Sequence, residues 1–331
     1  MQNKISVLVT FFNQAQYVDD CLKSIMEQET DFPFCVIIGD DGSTDRTIDK
    51  IIEWESRYPS KIHHIIQPRE AGKKYIGGIR ASQNRLSLLK EVNTPYFTFL
   101  DGDDYWTDKK KLQKQIDILD NPENDDCDSC GHFTVSFNEK VSDDIIYIPP
   151  KTWKEGKISF RRYWEDLYVH SDSIVFRSRR IKELDFSLLD KHFNDNVITF
   201  CFLQNNKMYF IPEVMASYRV TENSIYNGEK ESIGAIRGIF DYDLEIKMIP
   251  GIRKIASRRH LHDFLYIQSH RHEMRKLLEY KKIAMEDDLP TACHVVDTGY
   301  IFKESDLLDR IEVLIIRIER QFVKLNNALN K

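Results

Sequence analysis

Cysteine is scarce in this chain, with six in 331 residues, at positions 21, 35, 127, 130, 201 and 293. Six are too few for a disulfide scaffold of this size, and several lie in apolar runs, so they read as reduced, buried thiols of a cytosolic protein. Glycine and proline, at 13 and 10 residues, are too few for a collagenous or low-complexity polypeptide. No stretch approaches the roughly 18 consecutive apolar residues of a spanning helix. The apolar run over 5–12 is too short for a signal peptide and lacks a small-residue cleavage site. Positive charge is not in excess: 47 Lys and Arg face 53 Asp and Glu, for a net charge of −6, which makes nucleic acid a poor partner. Fixed-period repeats are also lacking, which excludes a solenoid.

Apolar residues make up 41% and charged residues 30%, the composition of a soluble folded protein that meets a membrane only at its surface. Length predicts two domains, and the change in pattern near 226 separates 1–225 from a helical 226–331. In the first hundred residues two periods alternate, as in an α/β sheet with parallel pairing. Strands are expected at 5–11, 34–38, 62–66 and 96–100. Between them, Val18, Cys21, Leu22, Ile25 and Met26 share one helical face, Ile48, Ile51 and Ile52 another, and Leu86, Leu88 and Leu89 a third. Ser43, Thr44 or Asp45 caps the second helix. Further on, the pattern predicts strands at 130–137, 172–177, 207–211 and 214–220 and a helix at 195–205.

Parallel pairing would carry Thr10 to Asn13, Asp40 to Asp45 and Asp101 to Asp104 to one carboxyl edge, where open α/β sheets bind ligands. In Phe99-Leu-Asp101-Gly-Asp103-Asp104-Tyr-Trp106 a strand ends in clustered carboxylates. Such a cluster is costly without a cation, and Mg²⁺ or Mn²⁺ suits oxygen ligands while leaving positions for phosphates. Asp40 and Asp41, just before a helix, can accept hydrogen bonds from a base or ribose. The spacing is not that of an EF-hand, and 10–16 lacks the glycine-rich turn of a dinucleotide site, so a nucleotide is favoured over NAD.

With Thr10-Phe-Phe-Asn13, Ile38-Gly-Asp-Asp-Gly-Ser-Thr-Asp-Arg-Thr47 and Phe99-Leu-Asp-Gly-Asp-Asp-Tyr-Trp106 in this order, residues 4–225 resemble the family 2 glycosyltransferases. That resemblance implies the GT-A fold, a Rossmann-like mixed sheet flanked by helices, here followed by a helical C-terminal region. It further implies an inverting, metal-dependent transfer of a sugar, commonly from a UDP-sugar, to a glycan or lipid-linked hydroxyl in bacterial surface polysaccharide synthesis. Thr10, Phe12, Asn13 and Asp40 or Asp41 would contact the nucleotide, Asp101 would face ribose and sugar, and Asp103, with Asp101 beside it, would hold Mn²⁺ or Mg²⁺. Phe193-Asn-Asp195 and Ile211-Pro-Glu-Val-Met-Ala-Ser-Tyr-Arg-Val220 resemble later family motifs, which makes Asp195 the general base, with Asp190 and then Glu213 as substitutes. Two departures stand out. Thr221 occupies the place of a frequent His, and Ser82-Gln83-Asn84 replaces Ala-Arg-Asn, which transfers the expected Arg role to Arg80, Arg85, Lys73 or Lys74.

Two rival classes share these residues: a sugar nucleotidyltransferase, which would release pyrophosphate, and a non-catalytic nucleotide-sugar-binding subunit, which would be expected to lack the carboxylates. Cys127, Cys130 and His132 do not complete a zinc spacing. Between 253 and 282 stand nine Lys or Arg, four His and three acids, a basic face suited to an anionic lipid surface or acidic glycan and also to plain solvent. His260, His262, His270 and His272 are spaced two apart and do not share helical faces. Leu308, Ile311, Ile315, Ile318, Phe322, Leu325 and Leu329 form a seam that favours a homo-oligomer through 304–331. The expected location is cytoplasmic, on the inner face of the cell membrane.

Overall fold

The computed structural model describes residues 2–221 except 74, 76, 139–140, 149–152, 160–161, 164–168, 191–192 and 204–205. The chain divides into units Met1–Asn227 and Gly228–Lys331. The second unit, with the basic segment, the paired histidines, Cys293 and the 308–329 seam, lies outside the described residues.

Strand β1 (Ile5–Phe11) is apolar along almost its whole length and is buried on both faces, as central parallel strands are. It pairs in parallel with β2 (Phe34–Asp40) on one side and β4 (Tyr96–Asp101) on the other, and β2 pairs in parallel with β3 (Ile62–Ile66). Helix α1 (Val18–Met26) buries Val18, Cys21, Leu22 and Ile25 beside this sheet, the expected face. In α2 (Thr47–Arg57) the buried face is Thr47, Ile51 and Trp54, whereas Ile52 is 45% exposed. The expected Ile48–Ile51–Ile52 stripe is therefore rotated: Trp54 offers more apolar surface than an isoleucine, and with Thr47 and Ile51 it completes an i, i+4, i+7 row. Helix α3 (Gly77–Lys90) leads into β4.

Beyond β4 the sheet becomes mixed. Its order is β3-β2-β1-β4-β9-β6-β10-β5, where β5 is Tyr105–Trp106, β6 Cys127–Asn138, β9 Val175–Arg177 and β10 Lys207–Val220. β9 runs antiparallel to both β4 and β6, and β10 is parallel to β6. β7 (Val141–Ile148) adds to β6 and β8 (Gly156–Ser159) to β10. The two runs expected at 207–211 and 214–220 form one strand interrupted by register shifts between Ile211 and Ala216. Pro212 lies in that interval and has no N–H to donate to the ladder, so the strand bulges there rather than ending.

Helix α4 (Lys111–Asp120) has a buried row of Leu112, Ile116 and Leu119 flanked by buried Lys111 and Gln115. The row keeps an i, i+4, i+7 spacing, a helical signal that is absent from the expected elements. Lys111 Nζ lies 4.2 Å from the centre of the Trp106 ring and donates to Gln115 Oε1 at 2.8 Å, and burial pushes its amine down to about 7. Two short helices, α5 (Phe186–Leu189) and α6 (Asp195–Leu203), precede β10. Cys21, Cys127, Cys130 and Cys201 are buried and unbridged. Among the described residues no helix is long and apolar enough to cross a membrane.

Candidate functional site

Register brings the site together. Thr10, near the end of β1, stands opposite Gly39 of β2 and Asp101 of β4, so all three strand ends open at one edge. The β1 and β2 ends are stitched to each other: the Asn13 amide donates to Ser43 Oγ at 2.8 Å, and the Thr44 amide donates to Asn13 Oδ1 at 2.8 Å. Asn13 reaches this position with φ of 52°, a left-handed conformation that asparagine tolerates better than most residues.

Asp40 and Asp41 have different work. Asp40 is buried, and its two oxygens accept the Ser43 amide at 2.7 Å and the Ser43 hydroxyl at 2.6 Å, so its carboxylate closes its own turn. Burial raises its pKa, against the pull of those Ser43 bonds. Asp41 is held by two cations, Arg69 on Oδ2 and Arg80 at 2.6 Å on Oδ1. Arg69 also covers the Phe12 ring, its guanidinium carbon 3.9 Å from the centroid, and both arginines face Tyr75 at 5.2 and 4.9 Å. Phe12 remains 40% exposed. This is a stacking platform beside a carboxylate whose charge is already balanced.

Asp101 accepts the Thr10 hydroxyl at 3.0 Å and the Arg85 guanidinium at 2.9 Å on each oxygen. The same Arg85 nitrogen lies 3.5 Å from Asp195 Oδ1 at the start of α6. Arg85 thus bridges the strand-end carboxylate to the acid singled out as a base, which lies 94 residues further along the chain. Burial opposes the Arg85 charge, but Asp101 and Asp195 more than reverse this and hold its pKa above the ordinary value. The substitutes are elsewhere: Asp190 accepts from Gln83 at 3.1 Å, and Glu213 pairs with Lys114 at 2.5 Å. Lys73 pairs with Glu70 at 2.9 Å, and Lys74 is outside the described residues.

Between Asp101 and Asp103 the chain passes against Phe11. A Cβ at Gly102 would lie 2.1 Å from that ring and 2.7 Å from the Thr10 carbonyl, so only glycine fits. Arg219 of β10 clasps the turn: its amide donates to Asp104 Oδ1 at 2.7 Å and its Nε to the Asp103 carbonyl at 2.8 Å. Burial and then the nearby Asp101 push the Asp103 carboxylate up to about 7, against the opposing charge of Arg219. A carboxylate raised in this way, next to a second acid, fits a divalent cation. Thr221 follows directly from β10.

Under the turn lies a group that sequence reasoning missed. Asp104, His170 and Asp172 are all buried, and each offers one potential metal-ligand atom, all within 4.8 Å of one another. Burial and then Asp172 raise the Asp104 pKa, and burial raises that of Asp172 against the opposing effect of His170. Asp104 was visible in the sequence as part of the carboxylate string. His170 and Asp172 carry no motif, and Arg69 lies in a polar loop with no periodicity, so none of the three leaves a signal that sequence reading can use.

In comparison with known proteins, the pattern of glycosyl transferase family 2 matches residues 6–185, more than half of the 331 residues. An uncharacterized protein of Mycobacterium tuberculosis is 28% identical over 232 residues, 67% of this chain and 60% of that protein. The chain thus matches less than two thirds of that relative's length. The structure of S. aureus TarS 1-349 in complex with UDP-GlcNAc aligns with a TM-score of 0.52 at 18% identity, covering 90% of this chain and 88% of TarS 1-349. That of the mannosyltransferase PcManGT from Pyrobaculum calidifontis, in complex with GDP-Man and Mn²⁺, aligns with a TM-score of 0.52 at 14% identity, covering 95% and 84%. With its mixed sheet, its carboxylates at one strand edge and a family match over most of the described unit, the chain belongs to glycosyl transferase family 2 and has the GT-A fold.

Proposed function

We propose that this protein is a metal-dependent, inverting glycosyltransferase. It would move a sugar from a nucleotide-sugar, with UDP favoured, to a hydroxyl of a glycan or lipid-linked acceptor. The observation that carries this is the Arg85 bridge, which joins the donor-side Asp101 to the acid Asp195 at the carboxyl edge. The complexes of TarS with UDP-GlcNAc and of PcManGT with GDP-Man and Mn²⁺ support the donor class and the metal.

In this reading the Phe12–Arg69 stack offers a flat face to the base, and Asp41 is the carboxylate beside it. Asp101 orients ribose and sugar. Asp103, with Asp101, would hold Mn²⁺ or Mg²⁺, which when bound supplies a Lewis acid for the charge of the departing diphosphate. Asp195 takes the proton of the attacking hydroxyl, in line with the leaving group, and a single displacement inverts the anomeric centre. Arg85, 3.5 Å from Asp195 Oδ1, positions that carboxylate. The biological setting that fits is assembly of bacterial surface polysaccharide from the inner face of the membrane, with 226–331 serving acceptor binding, docking or self-association.

The test has two arms. Asp195→Asn should bind nucleotide-sugar as the wild type does and lose transfer by about 10²–10⁴-fold; unchanged turnover removes Asp195 from the mechanism. A panel of UDP-, GDP- and dTDP-sugars with Mn²⁺ should raise the melting temperature for one nucleotide above the others. The product should be a nucleoside diphosphate, and release of inorganic pyrophosphate would reassign the protein as a nucleotidyltransferase.

A further inference from the structure

Asp104, His170 and Asp172 are 1%, 4% and 1% exposed. One oxygen of each acid is engaged: Asp104 Oδ1 accepts the Arg219 amide at 2.7 Å and Asp172 Oδ1 the Asp101 amide at 3.2 Å. The other oxygens, Asp104 Oδ2 and Asp172 Oδ2, are buried with no hydrogen-bond partner. His170 Nδ1 lies 3.4 Å from the Asp172 amide and 3.4 Å from Asp172 Oδ2. Two buried carboxylate oxygens this close are costly in a dry interior unless a proton or a cation lies between them. A separation of about 3.4 Å is also the edge of a tetrahedron whose bonds are about 2.1 Å, the length of zinc–nitrogen and zinc–oxygen bonds.

We propose that Asp104, His170 and Asp172 form a second divalent-cation site, buried beneath the Asp101–Asp104 turn and separate from the nucleotide-side carboxylate of Asp103. The donor set of one imidazole nitrogen and two carboxylate oxygens selects Zn²⁺ or Mn²⁺ over Mg²⁺, which prefers oxygen alone. Its role is structural. Asp172 receives the Asp101 amide on its carboxylate and the Trp106 indole on its carbonyl at 3.1 Å, so an ion here ties both ends of the Asp101–Trp106 turn to the Ser171–Ser173 turn that precedes β9. The site needs no transferase activity to exist, so it stands or falls apart from the function proposed above.

The full chain, purified without chelator and desalted, should retain equimolar Zn²⁺ or Mn²⁺ by elemental analysis. Asp103→Asn should retain it too, because that variant removes only the nucleotide-side carboxylate, while His170→Gln and Asp172→Asn should lose it. Stripping the ion should lower the melting temperature of the wild type, and adding Zn²⁺ or Mn²⁺ should restore it. Should the two ligand variants fail to fold, Co²⁺ added to stripped wild type and stripped Asp103→Asn decides: equimolar saturation with a visible d–d band in both supports the site. A wild type that holds no ion and gives no Co²⁺ band overturns the proposal and assigns the buried acids a shared proton. Loss of the ion in Asp103→Asn overturns it equally, because the ion would then belong to the nucleotide-side turn.

Discussion

Gly102 and Asp103 show how little room the turn leaves. Gly102→Ala places a methyl inside the Phe11 ring contact, and overpacking of that kind costs about 1–3 kcal/mol, which urea unfolding of the variant should show as a lower midpoint. Asp103 has the opposite problem, with too little around its charge rather than too much. Its folded pKa is raised from 3.8 to about 7, so the folded state holds the proton more tightly than the unfolded chain does. The stability this contributes is complete below the unfolded value and is lost as pH rises through the folded one. In cation-free buffer Asp103→Asn should therefore match the wild type at pH near 4 and melt at a higher temperature by pH 8. Added Mn²⁺ should stabilise the wild type increasingly from pH 6 to 8, as proton and cation compete for one carboxylate. A Mn²⁺ response independent of pH would remove Asp103 as the ligand.

At the scale of elements, α2 and β10 show where periodicity succeeds and where it misleads. Both were legible as elements, because alternation of period and breakers marks their ends. Which face α2 buries was not, since Ile48, Ile51, Ile52 and Trp54 span more than one stripe and only contact with the sheet selects among them. The consequence is measurable: Ile51→Ala should cost about 2–5 kcal/mol, whereas Ile52→Ala should remain within about 0.5 kcal/mol of the wild type in the same denaturant titration. Equal effects would mean that the helix is rotated from the face described. The sequence pattern divides β10 at Pro212, yet a bulge absorbs the proline while β6 pairs on both sides of it. Helix α4 carries an unbroken i, i+4, i+7 row of Leu112, Ile116 and Leu119 that is absent from the expected elements, and what no pattern shows is the burial of Lys111 and Gln115 beside it. Gln115 satisfies the carbonyls of Cys130 and Ser173 at 2.5 and 2.8 Å, partners that no local pattern announces.

At the scale of the whole molecule, every residue placed at the nucleotide edge lies before Asn227, within the first unit. A chain ending at 227 should therefore bind the preferred nucleotide with an affinity within about threefold of the full chain, a difference of well under 1 kcal/mol, by calorimetry. Transfer to a glycan or lipid-linked acceptor should fall if 226–331 serves acceptor binding. Loss of nucleotide binding on truncation would place part of the donor site in the second unit.

The sequence by itself determined the strand–helix alternation, the carboxylates at the strand ends and the family to which they belong, because apolar period, glycine placement and short acidic strings are local properties of the chain. Only the tertiary structure decided what those carboxylates meet. Arg85 joins Asp101 to Asp195, Arg69 and Arg80 neutralise Asp41, and His170 and Asp172 lie under Asp104. Arg80 and Arg85 stand on a helix that the sequence shows, while Arg69, His170 and Asp172 come from segments with no period of their own, and all meet the carboxylates only because sheet register and burial bring distant parts of the chain together.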